Sequence, residues 1–145
     1  MSRILTLLLA AALGTGAATV RAEGADKLVT VLTAPEPQSQ LMAMVLTMQA
    51  ARQGADAHVL LCGPAGDLAL KDAPASATAP QKPKDMSPQG LMKALMENGA
   101  TVEVCAIYLP NAGLDASALL DGVTAADPEA MAARLIAGDT RVLGL

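Results

Sequence analysis

The chain has 145 residues, a formal net charge of −4 and 52% hydrophobic residues, yet only one Tyr and neither Phe nor Trp. An acidic chain almost without rings excludes nucleic-acid binding, which calls for basic patches and stacking platforms. The length suits one domain able to bury a core.

The first 22 residues have the pattern of an export signal. Arg3 supplies the positive start, Ile4 to Ala12 the apolar run, and Val20-Arg21-Ala22 the small-residue cleavage site. The run falls short of the roughly 20 residues of a membrane span. Cleavage after Ala22 would leave 123 residues, 23–145, and take the charge from −4 to −6. A periplasmic or secreted protein is expected, with no membrane attachment once the leader is removed.

The remainder alternates strand and helix. Leu28 to Leu32 is a continuous apolar run, as in a strand covered on both faces. The loop Thr33-Ala-Pro-Glu-Pro37 ends it, and Gln38 to Gln53 is rich in helix formers and stops at Gly54. Ala57 to Cys62 reads as the second strand, turned by Gly63-Pro-Ala-Gly66. Residues 71–88, rich in Pro, Ala, Ser and Lys, read as a long mobile loop. Ser87-Pro88 opens a helix with the stripe Leu91, Met92, Leu95 and Met96, closed by Asn98-Gly99.

Gly99 to Leu109 reads as the central strand, carrying Cys105 near its carboxyl end and turned by Pro110-Asn-Ala-Gly113. Alternation would put Glu103, Cys105 and Ile107 on one face, with Val102, Val104 and Ala106 on the other. Asp115 to Leu120 is a short helix and Gly122-Val-Thr124 a minor strand. Asp127-Pro128 caps a helix to Ala137, and Thr140 to Leu145 forms the last strand. Repeated strand–helix units predict a three-layer α/β/α domain with a mostly parallel sheet of about five strands.

Chemistry-bearing residues are sparse. His58, the single histidine, sits near the start of its strand, which favours a solvated or structural role over catalysis. Gly63-Pro-Ala-Gly66 is neither a P-loop nor a dinucleotide fingerprint. Asp67, Asp72 and Asp85 lack calcium-loop spacing and read as solvated charges. Met42, Met44, Met48, Met92 and Met96 with the two thiols could compose a soft Cu(I) site. Filling core gaps left by the missing rings is the preferred role for them, and Met42 and Met44 stand about 200° apart on a helix. No resident cofactor or metal is expected.

The cysteines Cys62 and Cys105 both end apolar runs. A buried cysteine is commonly a small hydrophobe, whereas one at the carboxyl end of an α/β strand lies where such sheets present reactive groups. Adjacent strands would bring the two within bridging range and non-adjacent strands would not. Strand order therefore leaves their pairing open.

The chain resembles the DsrE/DsrF family, which includes the TusD-type sulfur-relay subunits. The resemblance rests on Leu28-Val-Thr-Val-Leu-Thr33, on Ala50-Ala-Arg-Gln-Gly54 before His58-Val-Leu-Leu61, and on Asp139-Thr-Arg-Val-Leu143. The most telling segment is Leu95-Met-Glu-Asn-Gly-Ala-Thr-Val-Glu-Val-Cys105, which is similar to the family's helix, Gly and strand leading to a sulfur-carrying cysteine. It implies an α/β domain assembling as trimers or hexamers, with Cys105 accepting sulfur as a persulfide and exchanging it with a donor or acceptor protein. Cys62 would serve as a resolving thiol. The chain departs from the family after the cysteine: no Arg or Lys lies between Glu103 and Asp121, and Glu103 on the same face would raise the thiol pKa. An exported sulfur carrier or redox thiol protein is thus expected. The alternative is a non-catalytic oligomeric module binding Cu(I) or a small sulfur ligand.

Overall fold

A computed structural model describes residues 27–145. The expected leader, residues 1–22, lies outside the described residues. Five parallel strands form one sheet: β1 (Lys27–Leu32), β2 (Asp56–Leu61), β3 (Thr101–Val104), β4 (Thr124–Ala125) and β5 (Thr140–Gly144), in the order β4-β3-β2-β1-β5. The helices are α1 (Pro37–Arg52), α2 (Ala75–Thr78), α3 (Pro88–Glu97), α4 (Tyr108–Ala112) and α5 (Pro128–Leu135). The expected α/β architecture is the observed one.

Alternation along the strands splits the core into two layers. Leu32, Val59, Leu61, Val102 and Val104 pack against Met44 and Met48 of α1 and Leu91, Met92 and Leu95 of α3. Val29 and Leu60 face the other way, onto Met131 of α5. Successive connections carry the chain from β1 through β2 and β3 to β4, at one edge of the sheet. It then returns through α5 to β5, beside β1, so α5 covers the opposite face. Segments leaving the carboxyl ends therefore diverge to the two faces near β3, the place where open α/β sheets form crevices.

Local signals hold at the helix starts. The Ser87 hydroxyl accepts from the Gly90 N–H at 3.1 Å and the Asp127 carboxylate from Ala130 N–H at 2.8 Å, each with Pro at the first helical position. Elsewhere the reading of residues 99–113 needs correction. β3 stops at Val104, and Tyr108–Ala112 is a helical turn rather than the end of a strand. Tyr108 N–H bonds back to Cys105 C=O at 2.9 Å, and Pro110 fits the first turn of α4, where no N–H is required. Ile107 consequently leaves the sheet and stands exposed. A short apolar run does not by itself distinguish strand from buried helix.

Residues 71–88 also differ from a free loop. They contain α2 and a bridge between Gln81 and Met86, and the buried Gln89 side chain just beyond donates to Leu68 C=O at 3.1 Å and Leu70 C=O at 2.8 Å. The expected helix at Asp115–Leu120 is a 3₁₀ turn, Ala116–Ala118. Among the described residues no helix is long and apolar enough to cross a membrane.

Candidate functional site

The strand order settles what spacing alone left open. β2 and β3 are neighbours, with Leu61 opposite Val104, so the next residue of each strand is a cysteine. Backbone bonds hold both in line: Cys62 N–H to Leu32 C=O at 2.9 Å, and Cys105 N–H to Leu61 C=O at 2.8 Å. Their Cα atoms lie 5.1 Å apart, and the two form a disulfide. Partners in register on parallel strands point to the same face, so the pair packs toward α5 beside Leu135.

The chain behind each cysteine is anchored to the other. Gly63, at φ +54°, takes the left-handed turn that sends the chain from Cys62 into a 3₁₀ segment, Gly63–Ala69. Asp67 of that segment accepts a 2.7 Å hydrogen bond from the Tyr108 hydroxyl, three residues after Cys105. Burial, reinforced by this bond, pushes the Tyr108 hydroxyl pKa well above its ordinary value. Asp67 is therefore a structural acceptor and not the solvated charge expected. A Cβ at Gly66 would collide with ring carbons Cδ2, Cε2 and Cζ of Tyr108, which explains a residue without a side chain there.

An apolar chamber of about 290 Å³ opens on Cys105, lined also by Leu60, Ala106, Ile107, Ala126 and Met131. Among the described residues, its lining has neither a basic nor an acidic side chain. Cys62 does not line it. Below the disulfide on the same face, His58 and Glu103 are joined by a 2.8 Å bond between Nε2 and Oε2. A carboxylate only accepts, so Nε2 carries the proton and buried Nδ1 is left without a partner. Burial lowers the His58 pKa, helped by Arg134; the Glu103 hydrogen bond and charge and the Asp56 charge oppose the shift. The expectation of a structural histidine holds, but it is buried rather than solvated, at 3% exposure. Glu103 stands on the Cys105 face as expected, with one oxygen engaged by His58 rather than free toward the thiol.

This arrangement makes stability depend on pH with a definite sign. Because the folded His58 pKa lies below the ordinary histidine value of 6.5, the unfolded chain binds the proton first. Stability is complete above that value and falls as pH drops below it. His58→Gln keeps a donor for Glu103 and removes the titration. The urea midpoint of the variant should fall less than that of wild type between about pH 7.5 and 5. Parallel decreases in the two proteins would refute this role for His58.

The methionines divide. Met44 and Met92 are fully buried in the core, whereas Met42, Met48 and Met86 line a second cavity of about 580 Å³ between α1 and residues 81–86. Among the described residues, no three His, Cys, Asp or Glu side chains converge as a metal site. The chamber on Cys105 and the Asp67–Tyr108 bond were missed in the sequence. The only hint of the latter was a lone Tyr in a chain otherwise without rings.

No protein-family model and no curated protein matches the chain. Among solved structures, it is similar to the ychN protein from E. coli, at 22% identity and a TM-score of 0.60, over 82% of this chain and 98% of that one. It is also similar to MTH1491 from Methanobacterium thermoautotrophicum, described as a protein of unknown function. The identity there is 15% and the TM-score 0.58, over 82% of this chain and 99% of that one. What the chain shares with these proteins is the fold, a parallel α/β sheet covered by helices.

Proposed function

We propose that the chain is an exported DsrE-like thiol protein that accepts sulfane sulfur or electrons at Cys105, with Cys62 as the resolving thiol. The observation that carries this reading is the Cys62–Cys105 pair at the carboxyl ends of adjacent strands, with a chamber opening on one member. In the reduced protein, a Cys105 thiolate attacks the outer sulfur of a sulfane donor; the donor's S–S bond breaks, its inner sulfur leaves as a thiolate, and Cys105 holds the outer sulfur as a persulfide. A free thiol has only a few per cent thiolate at neutral pH, and no cation among the described residues lines the chamber to raise that fraction. Sulfur uptake should accordingly quicken as pH rises.

The test is intact mass spectrometry of reduced protein after exposure to polysulfide. Cys62→Ser, which lacks the resolving thiol, should gain one sulfur atom on Cys105, released by reductant, and Cys105→Ser should gain none. Equal sulfur uptake by Cys105→Ser would sink the assignment. Export draws on the Arg3 to Ala22 pattern, and a disulfide is compatible with an oxidising compartment. Loss of residues 1–22 from protein recovered outside the cytoplasm would test it. A homo-oligomer, trimer or hexamer, belongs to the same reading. Exposed Ile107 and Ile136 are apolar surface for such contacts, and light scattering gives the mass directly.

A non-catalytic module for Cu(I) or a small sulfur ligand is the second reading, favoured by Met42, Met48 and Met86 sharing one cavity. It expects Cu(I) binding that survives oxidation of the cysteine pair, because thioethers alone would hold the ion. Competition against a chromogenic Cu(I) chelator distinguishes the two readings.

A further inference from the structure

Resting on the assignment of Cys105 as the sulfur acceptor, we infer that the protein is a persulfide reductase. Cys105 takes the outer sulfur of a small alkyl persulfide, and Cys62 expels it as hydrosulfide. A sulfur carrier must keep its persulfide until an acceptor arrives. Here the second thiol is one strand away, in register, at a Cα distance of 5.1 Å, and both backbones are held in the sheet ladder. A persulfide on Cys105 therefore forms within bonding range of the group that destroys it.

The two thiols are not equivalent, and the chamber sets their order. It opens on Cys105 and not on Cys62, although both cysteines are half-buried, so a donor seated in it lies against Cys105. Its volume of about 290 Å³ is roughly ten times the ~30 Å³ share of one water, room for a donor of several heavy atoms. Leu60, Ala126 and Met131 provide aliphatic surface, and among the described residues no lining cation is present to hold the sulfonate of a thiosulfate-type donor. A donor whose leaving end is an alkyl thiol fits this lining.

The steps balance. The Cys105 thiolate attacks the outer sulfur of R–S–SH; that S–S bond breaks, RS⁻ leaves, and Cys105 carries –S–SH. The Cys62 thiolate then attacks Cys105 Sγ, the inner sulfur. The Cys62–Cys105 bond forms as the bond to the outer sulfur breaks, and HS⁻ leaves. Attack falls on the inner sulfur because Cys62 Sγ is bonded to it in the structure, whereas the outer sulfur occupies the chamber Cys62 does not line. In sum, two protein thiols and RSSH give the protein disulfide, RSH and H₂S. The sulfane sulfur gains two electrons and the thiols lose two. A dithiol reductant restores the thiols for another turnover.

The experiment mixes reduced, desalted protein with one equivalent of a small alkyl persulfide, trapping hydrosulfide with a bimane and recording intact mass. Wild type should release one equivalent of hydrosulfide above the Cys105→Ser background and lose the mass of two hydrogens. Cys62→Ser and Cys62→Ala should instead gain one sulfur and release only background hydrosulfide. Two Cys62 variants guard against a folding defect in either. If wild type keeps the added sulfur as Cys62→Ser does, the reductase inference is overturned while Cys105 stands as a carrier. If neither wild type nor the Cys62 variants react, both the inference and the carrier assignment fall.

Discussion

Reducing the Cys62–Cys105 bond should lower the unfolding free energy by about 4 kcal/mol. The bond ties residues 43 apart in sequence, and closing a loop of that length removes much of the unfolded chain's freedom. For a domain of this size the loss should appear as a fall in melting temperature of roughly 10–20 °C. The Cys62→Ser/Cys105→Ser double variant should melt near the reduced wild type and ignore added reductant. Should reductant leave the wild-type melting curve in place, the disulfide does not form in solution, and the redox readings built on it lose their footing. If the reductase inference is correct, the same stability difference separates the two ends of the catalytic cycle, so the resting oxidised protein is the more robust species.

Leu61→Ala should cost about 3 kcal/mol, within the 2–5 kcal/mol range for truncating a buried Leu. Leu61 is fully buried between the sheet and the α1/α3 layer, and its carbonyl receives the Cys105 N–H. Truncation removes packing beneath the strand ends that hold the cysteines in register. The urea midpoint should fall with little change in slope, as for a loss of stability alone. Leu46→Ala on the exposed side of α1, where 43% of the residue is accessible, should change stability by no more than about 0.5 kcal/mol. Equal effects at the two positions would contradict the layering described above.

Legibility in the sequence followed the range of the interactions. Helix starts at Ser87-Pro88 and Asp127-Pro128 were readable because a cap is made within a few residues. Buried strands were readable from their continuous apolar runs, although the apolar run of β3 extends beyond the strand itself, which ends at Val104. The excess, Ile107 to Leu109, is apolar for a different reason: Tyr108 and Leu109 bury from a helical turn while Ile107 points outward. Glu103 was placed on the Cys105 face correctly, since alternation is local. Its capture by His58 was not foreseen, because that bond joins residues 45 apart.

By itself, then, the sequence determined the order of strands and helices, the α/β class and both cysteines as the candidate chemistry. Those properties arise from propensity, capping and periodicity among near neighbours. Tertiary structure alone decided that β2 lies beside β3, and hence that Cys62 meets Cys105. It also decided that the chamber opens on one cysteine only, and that Asp67 holds Tyr108 behind the pair. Each of these depends on which distant segments pack side by side, a choice made by burying both faces of the sheet and the handedness of its connections.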